Sequence, residues 1–142
     1  MSERGPTLRV GDALPGLTLP PLTPGDLARY AEASGDHAAV HLDDDYARAM
    51  GFPGVIAHGL LVMAYLGRVL SDWQPVNRLR SFSCRFMAVT LPGERLQCSG
   101  RIAALRKLGD EEIADLELEV RNEIAELKLT GRATVALQES EA

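Results

Sequence analysis

Hydrophobic and polar positions alternate with a period of two through the second half of the chain. Leu116, Leu118 and Val120 share one parity and Asp115, Glu117 and Glu119 the other. The same holds for Leu127, Leu129, Ala133, Val135 and Leu137 against Glu126, Lys128, Thr130 and Arg132. Successive side chains of a strand point to opposite faces, so this pattern predicts strands with one buried and one wet face. Four are expected, over Leu79–Val89, Leu96–Leu105, Ile113–Val120 and Ala125–Leu137. Turn residues fall between them at Pro92-Gly93, Gly109-Asp110 and Asn122-Glu123. Strands wet on one face are characteristic of antiparallel sheets, and the expected arrangement is a meander.

The first half carries helical spacing instead. Thr23-Pro24-Gly25-Asp26 has a capping hydroxyl, a proline for the first helical position and an acid near the positive end of the dipole. A helix is expected from there to about Ala33, ended by Ser34-Gly35-Asp36. A short acidic-start helix over about Asp43–Met50 should stop at Gly51 in a left-handed conformation. From His58 to about Trp73 the chain is apolar nearly all round, which requires enclosure by other structure. No Ser, Thr, Asp or Asn immediately precedes that helix, so its first N–H groups lack a side-chain cap. A buried helix followed by an antiparallel sheet defines an α+β fold, a single domain over 1–142 with the sheet curved around one long helix.

Composition narrows the partners. The chain has 142 residues, with 15 basic and 20 acidic side chains and a net charge of -5. With no basic stripe to neutralise a polyanion, nucleic acid and anionic membrane surfaces are not expected as partners. Ala49 to Gly67 is uncharged, but Gly51, Pro53, Gly54, His58 and Gly59 interrupt it, so no membrane span is expected. Met1 to Val10 has no apolar run and does not read as a secretory leader. Two cysteines, Cys84 and Cys98, make neither a disulfide framework nor a metal motif, and a cytoplasmic location is expected.

Candidate chemistry concentrates between positions 35 and 60, where all three histidines, His37, His41 and His58, occur. Asp36 and His41 lie in one loop and can point into one cavity. A carboxylate and an imidazole sharing a water form an acid/base pair that works near neutral pH. The competing reading is that Asp36 caps a turn and His41 fills a pocket. Gly59, at the uncapped helix start, allows close approach to the backbone, and its N–H can stabilise a developing oxyanion. Its competing reading is a small residue where helix meets sheet. Asp43-Asp44-Asp45 read as a solvated helix start rather than a metal site. His58, Met63 and Arg85 are further candidates for a substrate pocket, and no metal ligand set is expected.

Ser34-Gly35-Asp36-His37-Ala38-Ala39-Val40-His41-Leu42-Asp43, then Gly51-Phe52 and Ile56-Ala57-His58-Gly59-Leu60-Leu61, resemble the signature of the MaoC-like, (R)-specific enoyl-CoA hydratases. Length and layout are also similar to the B subunits of mycobacterial 3-hydroxyacyl-carrier-protein dehydratases, and the likeness extends through Cys84-Arg85-Phe86 and Leu91-Pro92-Gly93-Glu94. The resemblance implies a hot-dog domain that dimerises, often through a continuous sheet. It implies that Asp36 and His41 hold the water that adds across a trans-2-enoyl thioester, and that the Gly59 N–H polarises the thioester oxygen. The implied product is an (R)-3-hydroxyacyl thioester, with dehydration as the reverse. No cofactor is implied; CoA or a carrier-protein phosphopantetheine arm belongs to the acyl-CoA or acyl-carrier-protein substrate. A homodimer or higher homo-oligomer is expected, with a heterodimer as the alternative.

The chain departs from the family pattern in two places. Ala38 and Ala39 stand where Asn and Pro are usual, so an amide that would steady the loop is missing. Gly67 falls where some relatives carry a helix serine. A hot-dog thioesterase, or a non-catalytic acyl-thioester-binding subunit of a hetero-oligomer, is the alternative function.

Overall fold

The computed structural model describes residues 7–137; the opening residues 1–6 and the last five, 138–142, lie outside it. The elements run β1 (Leu17–Thr18), α1 (Pro24–Ser34), α2 (Asp44–Ala49), α3 (Gly59–Trp73), β2 (Leu79–Phe86), β3 (Gln97–Leu108), β4 (Glu111–Arg121) and β5 (Leu127–Ala136). Short 3-10 turns at Ala39–His41 and Val76–Arg78 precede α2 and β2.

Local chemistry accounts for the helix ends. The Thr23 hydroxyl accepts from the Asp26 N–H at 3.1 Å while the Asp26 carboxylate accepts from the Thr23 N–H at 2.9 Å, a reciprocal capping box. Gly35 closes α1 at φ 78°, a conformation that costs a side-chain-bearing residue but not glycine. Asp43 caps α2 by accepting from the Asp45 and Tyr46 N–H groups, and Asp44 accepts from the Val55 N–H at 2.9 Å. The acidic triplet is thus a helix start plus a brace for the next loop.

All strand pairs are antiparallel, and the sheet order is β1-β3-β4-β5-β2. The expected strands are present, together with a two-residue strand, β1, that alternation is too short to reveal. The meander is corrected: β2 pairs with β5, not with β3, and residues 87–96 carry the chain across. That crossing is held by backbone bonds from the Met87 N–H to the Lys128 carbonyl, the Gly93 N–H to the Leu22 carbonyl and the Leu22 N–H to the Glu94 carbonyl.

The core lies between α3 and the sheet. Leu61, Val62, Leu66, Val69 and Leu70 of the helix are buried with Ile102, Leu116, Leu118, Leu129, Ala133 and Val135 of the strands. Burying side chains of this size contributes about 1.5–3 kcal/mol each. Gly131 lets the helix approach closely, because a Cβ there would lie 3.1 Å from Leu66 Cδ2 and 3.3 Å from Leu118 Cβ. Enclosure of α3 is incomplete, a second correction. Leu60, Ala64, Arg68 and Ser71 form an exposed stripe at helical spacing, apolar at its N-terminal end. Leu60 is 63% exposed, and Phe86, Met87 and Val89 are likewise open to solvent. The helix needs only the sheet on one side to be stable, so the other side is left to water or to another chain.

Cys98 is fully buried and Cys84 half-buried, both as free thiols, and burial pushes the Cys98 thiol up to about 11. No helix among the described residues is long and apolar enough to cross a membrane.

Candidate active site

The loop between α1 and α2 folds on its own backbone. The Asp36 N–H donates to the Ser34 hydroxyl at 3.1 Å, and the Asp36 carboxylate accepts from the Ala38 N–H at 3.2 Å through Oδ1. The His41 N–H then donates to the Ala38 carbonyl within the 3-10 turn. Side-chain-to-backbone bonds of this kind hold the loop locally where residues 38 and 39 are both alanine.

The turn leaves Asp36 Oδ2 free and aims it at His41 Nε2, 3.8 Å away. That gap is too long for a direct hydrogen bond and short enough for one water to touch both atoms. The other ring nitrogen, His41 Nδ1, lies 2.7 Å from the Ile56 carbonyl. A carbonyl only accepts, so Nδ1 carries a proton, and in the neutral ring Nε2 presents its lone pair toward Asp36. Asp36 is half-exposed and His41 largely covered, so the pair lies at a surface opening rather than in the core. The Ile56 N–H also donates to the Val40 carbonyl, which ties this loop to the segment leading into α3.

His58 and Gly59 complete the cluster. His58 is 2% exposed, so it lies beneath the pair rather than lining an open pocket. Gly59 opens α3 with no side-chain cap, and the first two N–H groups, of Gly59 and Leu60, have no acceptor among the described residues. Donors of this sort, on the positive end of a helix of 15 residues, suit a negative oxygen. A Cβ on Gly59 would also lie 3.0 Å from Phe86 Cε1, so its small size suits the packing of the helix start against the sheet edge. Phe86 was not singled out from the sequence; the signal was there in Phe82, Cys84 and Phe86, an alternation that ends with an aromatic ring at the sheet edge.

Of the remaining candidates, Met63 lies one turn along α3 from Gly59, half-buried against the core. Arg85 is on the outer face of β2, in a cleft of about 1090 Å³ with Ser83, Thr130, Arg132, Arg101 and Glu117 that contains none of Asp36, His41 or Gly59. Donor atoms of Asp36, His41 and His58 all fall within 4.8 Å of one another. The imidazoles of His41 and His58 stack with an interplanar angle of 23°.

Residues 15–123 match the family model described as MaoC like domain, and the chain belongs to that family. Its fold is the hot-dog arrangement of antiparallel sheet around a central helix, as in the structure of an (R)-hydratase from A. caviae involved in PHA biosynthesis. That structure superimposes with a TM-score of 0.80 at 25% identity, covering 94% of this chain and 100% of the other. Among curated relatives, a fatty acid synthase subunit beta of Aspergillus oryzae is 33% identical over 128 residues, spanning 80% of this chain but only 6% of its own length. The mitochondrial 3-hydroxyacyl-[acyl-carrier-protein] dehydratase of Arabidopsis thaliana is 28% identical over 131 residues, 92% of this chain and 78% of that protein.

Proposed function

We propose that this chain catalyses the reversible hydration of trans-2-enoyl thioesters to (R)-3-hydroxyacyl thioesters. The observation that carries the reading is the 3.8 Å gap between Asp36 Oδ2 and the lone pair of His41 Nε2 beside an uncapped helix start. A water held in that gap loses a proton to His41 Nε2 as its oxygen bonds to C3 of the enoyl group. The electron pair of the double bond moves onto the thioester oxygen, where the Gly59 N–H stabilises it. Return of the proton from the imidazolium to C2 completes the addition, and Asp36 orients the water and steadies the charged ring. Dehydration runs the same steps backward.

The addition is redox-neutral and water is its only co-reactant, so the reading requires no metal or redox group. CoA or a carrier-protein phosphopantetheine arm enters as part of the substrate. The name of the Arabidopsis relative supports this substrate class, and that of the A. caviae structure supports (R)-specific hydration. We further infer a homodimer: the outer edge of β2 has no strand partner among the described residues, and Leu60, Phe86 and Met87 lie exposed beside it. A second copy pairing on that edge would satisfy its backbone and cover those side chains.

The test is turnover of a short trans-2-enoyl-CoA, following loss of the conjugated absorbance with free thiol assayed in parallel. Absorbance loss without thiol release is expected. Thiol release would reassign the site to thioester hydrolysis, and binding with no conversion would make the chain a non-catalytic subunit.

A further inference from the structure

Beneath the Asp36/His41 pair lies a third polar ring that the reaction itself does not use. His58 is almost wholly buried, and its Nε2 lies 3.0 Å from the backbone carbonyl of Asp36. A carbonyl accepts, so Nε2–H donates. The face of the same ring is stacked on His41, with centroids 3.9 Å apart, and Tyr30 of α1 meets it edge-on at 4.7 Å. One imidazole therefore touches both members of the pair, Asp36 through its main chain and His41 through its ring.

The other nitrogen of His58, Nδ1, is buried with no hydrogen-bond partner among the described residues. An unpartnered buried polar atom is destabilising, and an apolar side chain would fill this space without that cost. A residue chosen for packing alone would not be histidine here. The ring must combine a flat face for stacking with an N–H at the reach of the Asp36 carbonyl, and no apolar residue supplies both.

We propose that His58 is the positioning residue of the pair, holding the Asp36 carboxylate and the His41 lone pair at the separation a shared water needs. Its Nε2–H anchors the main chain from which the Asp36 side chain projects. Its face, with the Ile56 carbonyl on His41 Nδ1, fixes the plane in which His41 Nε2 points. Ala38 and Ala39 make this support more necessary, because the loop has no proline to stiffen it.

The kinetic arm of the test rests on the hydration reading, and a second arm does not. His58→Phe keeps a ring for stacking and loses the donor, His58→Leu loses both, and His58→Gln restores a side-chain N–H at similar reach. For His58→Phe and His58→Leu the expected result is a fall in kcat of about 10- to 100-fold with KM within about threefold, and a thermal midpoint no lower than wild type. For His58→Gln, kcat should return to within about fivefold of wild type. In parallel, the ring C–H resonances of His41 in the isotope-labelled protein report the geometry without substrate. One sharp set is expected in the wild type and His58→Gln, and broadened or doubled signals in the other two. Wild-type kcat together with sharp His41 signals in His58→Phe and His58→Leu would overturn the proposal. So would losses of kcat that simply follow a lowered midpoint in all three variants. Should the wild-type protein hydrate no enoyl thioester, the hydration reading fails and the His41 resonances alone decide the role of His58.

Discussion

Lys128 Nζ lies 2.8 Å from the carbonyl of Val89, 39 residues earlier in the chain, and 2.8 Å from Glu94 Oε1. The ammonium is 3% exposed and also contacts Glu126. Its position matters for the site because the loop it pins passes the Thr90 carbonyl to the Ala57 N–H at 2.8 Å, immediately before His58 and Gly59. Lys128→Met removes the cation and leaves the Glu94 carboxylate with the Leu91 N–H and the Asn122 amide as its remaining donors. Glu126 is half-exposed and can be rehydrated, which limits the loss. We expect destabilisation of about 2 kcal/mol, less than for a fully buried pair, read from urea unfolding. An unchanged midpoint would show that the network contributes nothing net.

The same network sets a pH dependence of stability. Burial works to raise the Glu94 carboxyl, but Lys128, the Leu91 N–H and the Asn122 amide together hold it below the ordinary 4.5. Folding therefore favours the ionised form; the stabilisation is present above pH 4.5 and is lost as pH falls through the lower folded value. Burial works to lower Lys128, but Glu126 and Glu94 raise it above the ordinary 10.5. Its contribution is complete below pH 10.5 and disappears as pH rises through the higher folded value. The contribution of this network should be level between these limits and fall on both sides, with the buried Cys98 thiol adding a fall that begins near pH 9. Lys128→Met should shrink the alkaline fall, which scanning calorimetry across pH would detect.

How much of this was legible in the chain follows from the range of the interactions involved. Thr23 and Asp26, Gly35, and Asp43 with Gly51 act within a few residues of themselves, so their types and spacing state their roles. Asp36 and His41 share one loop, and their convergence could be read for the same reason. Alternation in β2 shows which face is buried but not which strand lies alongside, so the pairing with β5 was not readable. Arg85 has the parity of the outer face, and only the direction of the sheet separates it from the site. The Ile56 carbonyl is a main-chain group with no signature of its own, and the stacking of His58 on His41 depends on two segments meeting in space.

Removal of either member of the pair tests the site directly. Asp36→Asn keeps size and the acceptor for the Ala38 N–H but loses the charge; His41→Gln keeps a polar side chain but not the exchangeable ring proton. Each should lower kcat for enoyl-CoA hydration by at least about 100-fold. Neither side chain belongs to the core, so the thermal midpoint should move by only a few degrees. Wild-type rates in both variants would remove the pair from the mechanism.

Gly59 and Phe86 should behave as a coupled pair. In Gly59→Ala the backbone N–H survives, but the new Cβ meets the Phe86 ring at 3.0 Å. Phe86 is 53% exposed and can swing away, so the fold should persist while the helix start is disturbed. A loss of kcat of about tenfold is expected, largely recovered in Gly59→Ala combined with Phe86→Leu. Additive losses in the double variant would place the effect in the glycine backbone and not in the ring.

Ala39→Pro introduces the proline that the family resemblance leads one to expect at this position. Ala38 has φ -56° and ψ 134°, the extended conformation that a residue before proline favours. The Ala39 N–H makes no hydrogen bond to a backbone carbonyl outside regular elements, so its removal breaks none of the contacts that shape the loop. Ala39 opens a 3-10 turn, where the fixed φ of proline is accommodated. The substitution therefore restricts the unfolded chain without straining the folded one. A gain of about 0.4–1 kcal/mol is expected, measured as a raised unfolding midpoint with kcat at or above the wild-type value. A lowered midpoint would mean that the folded turn at Ala39–His41 does not accommodate the proline ring.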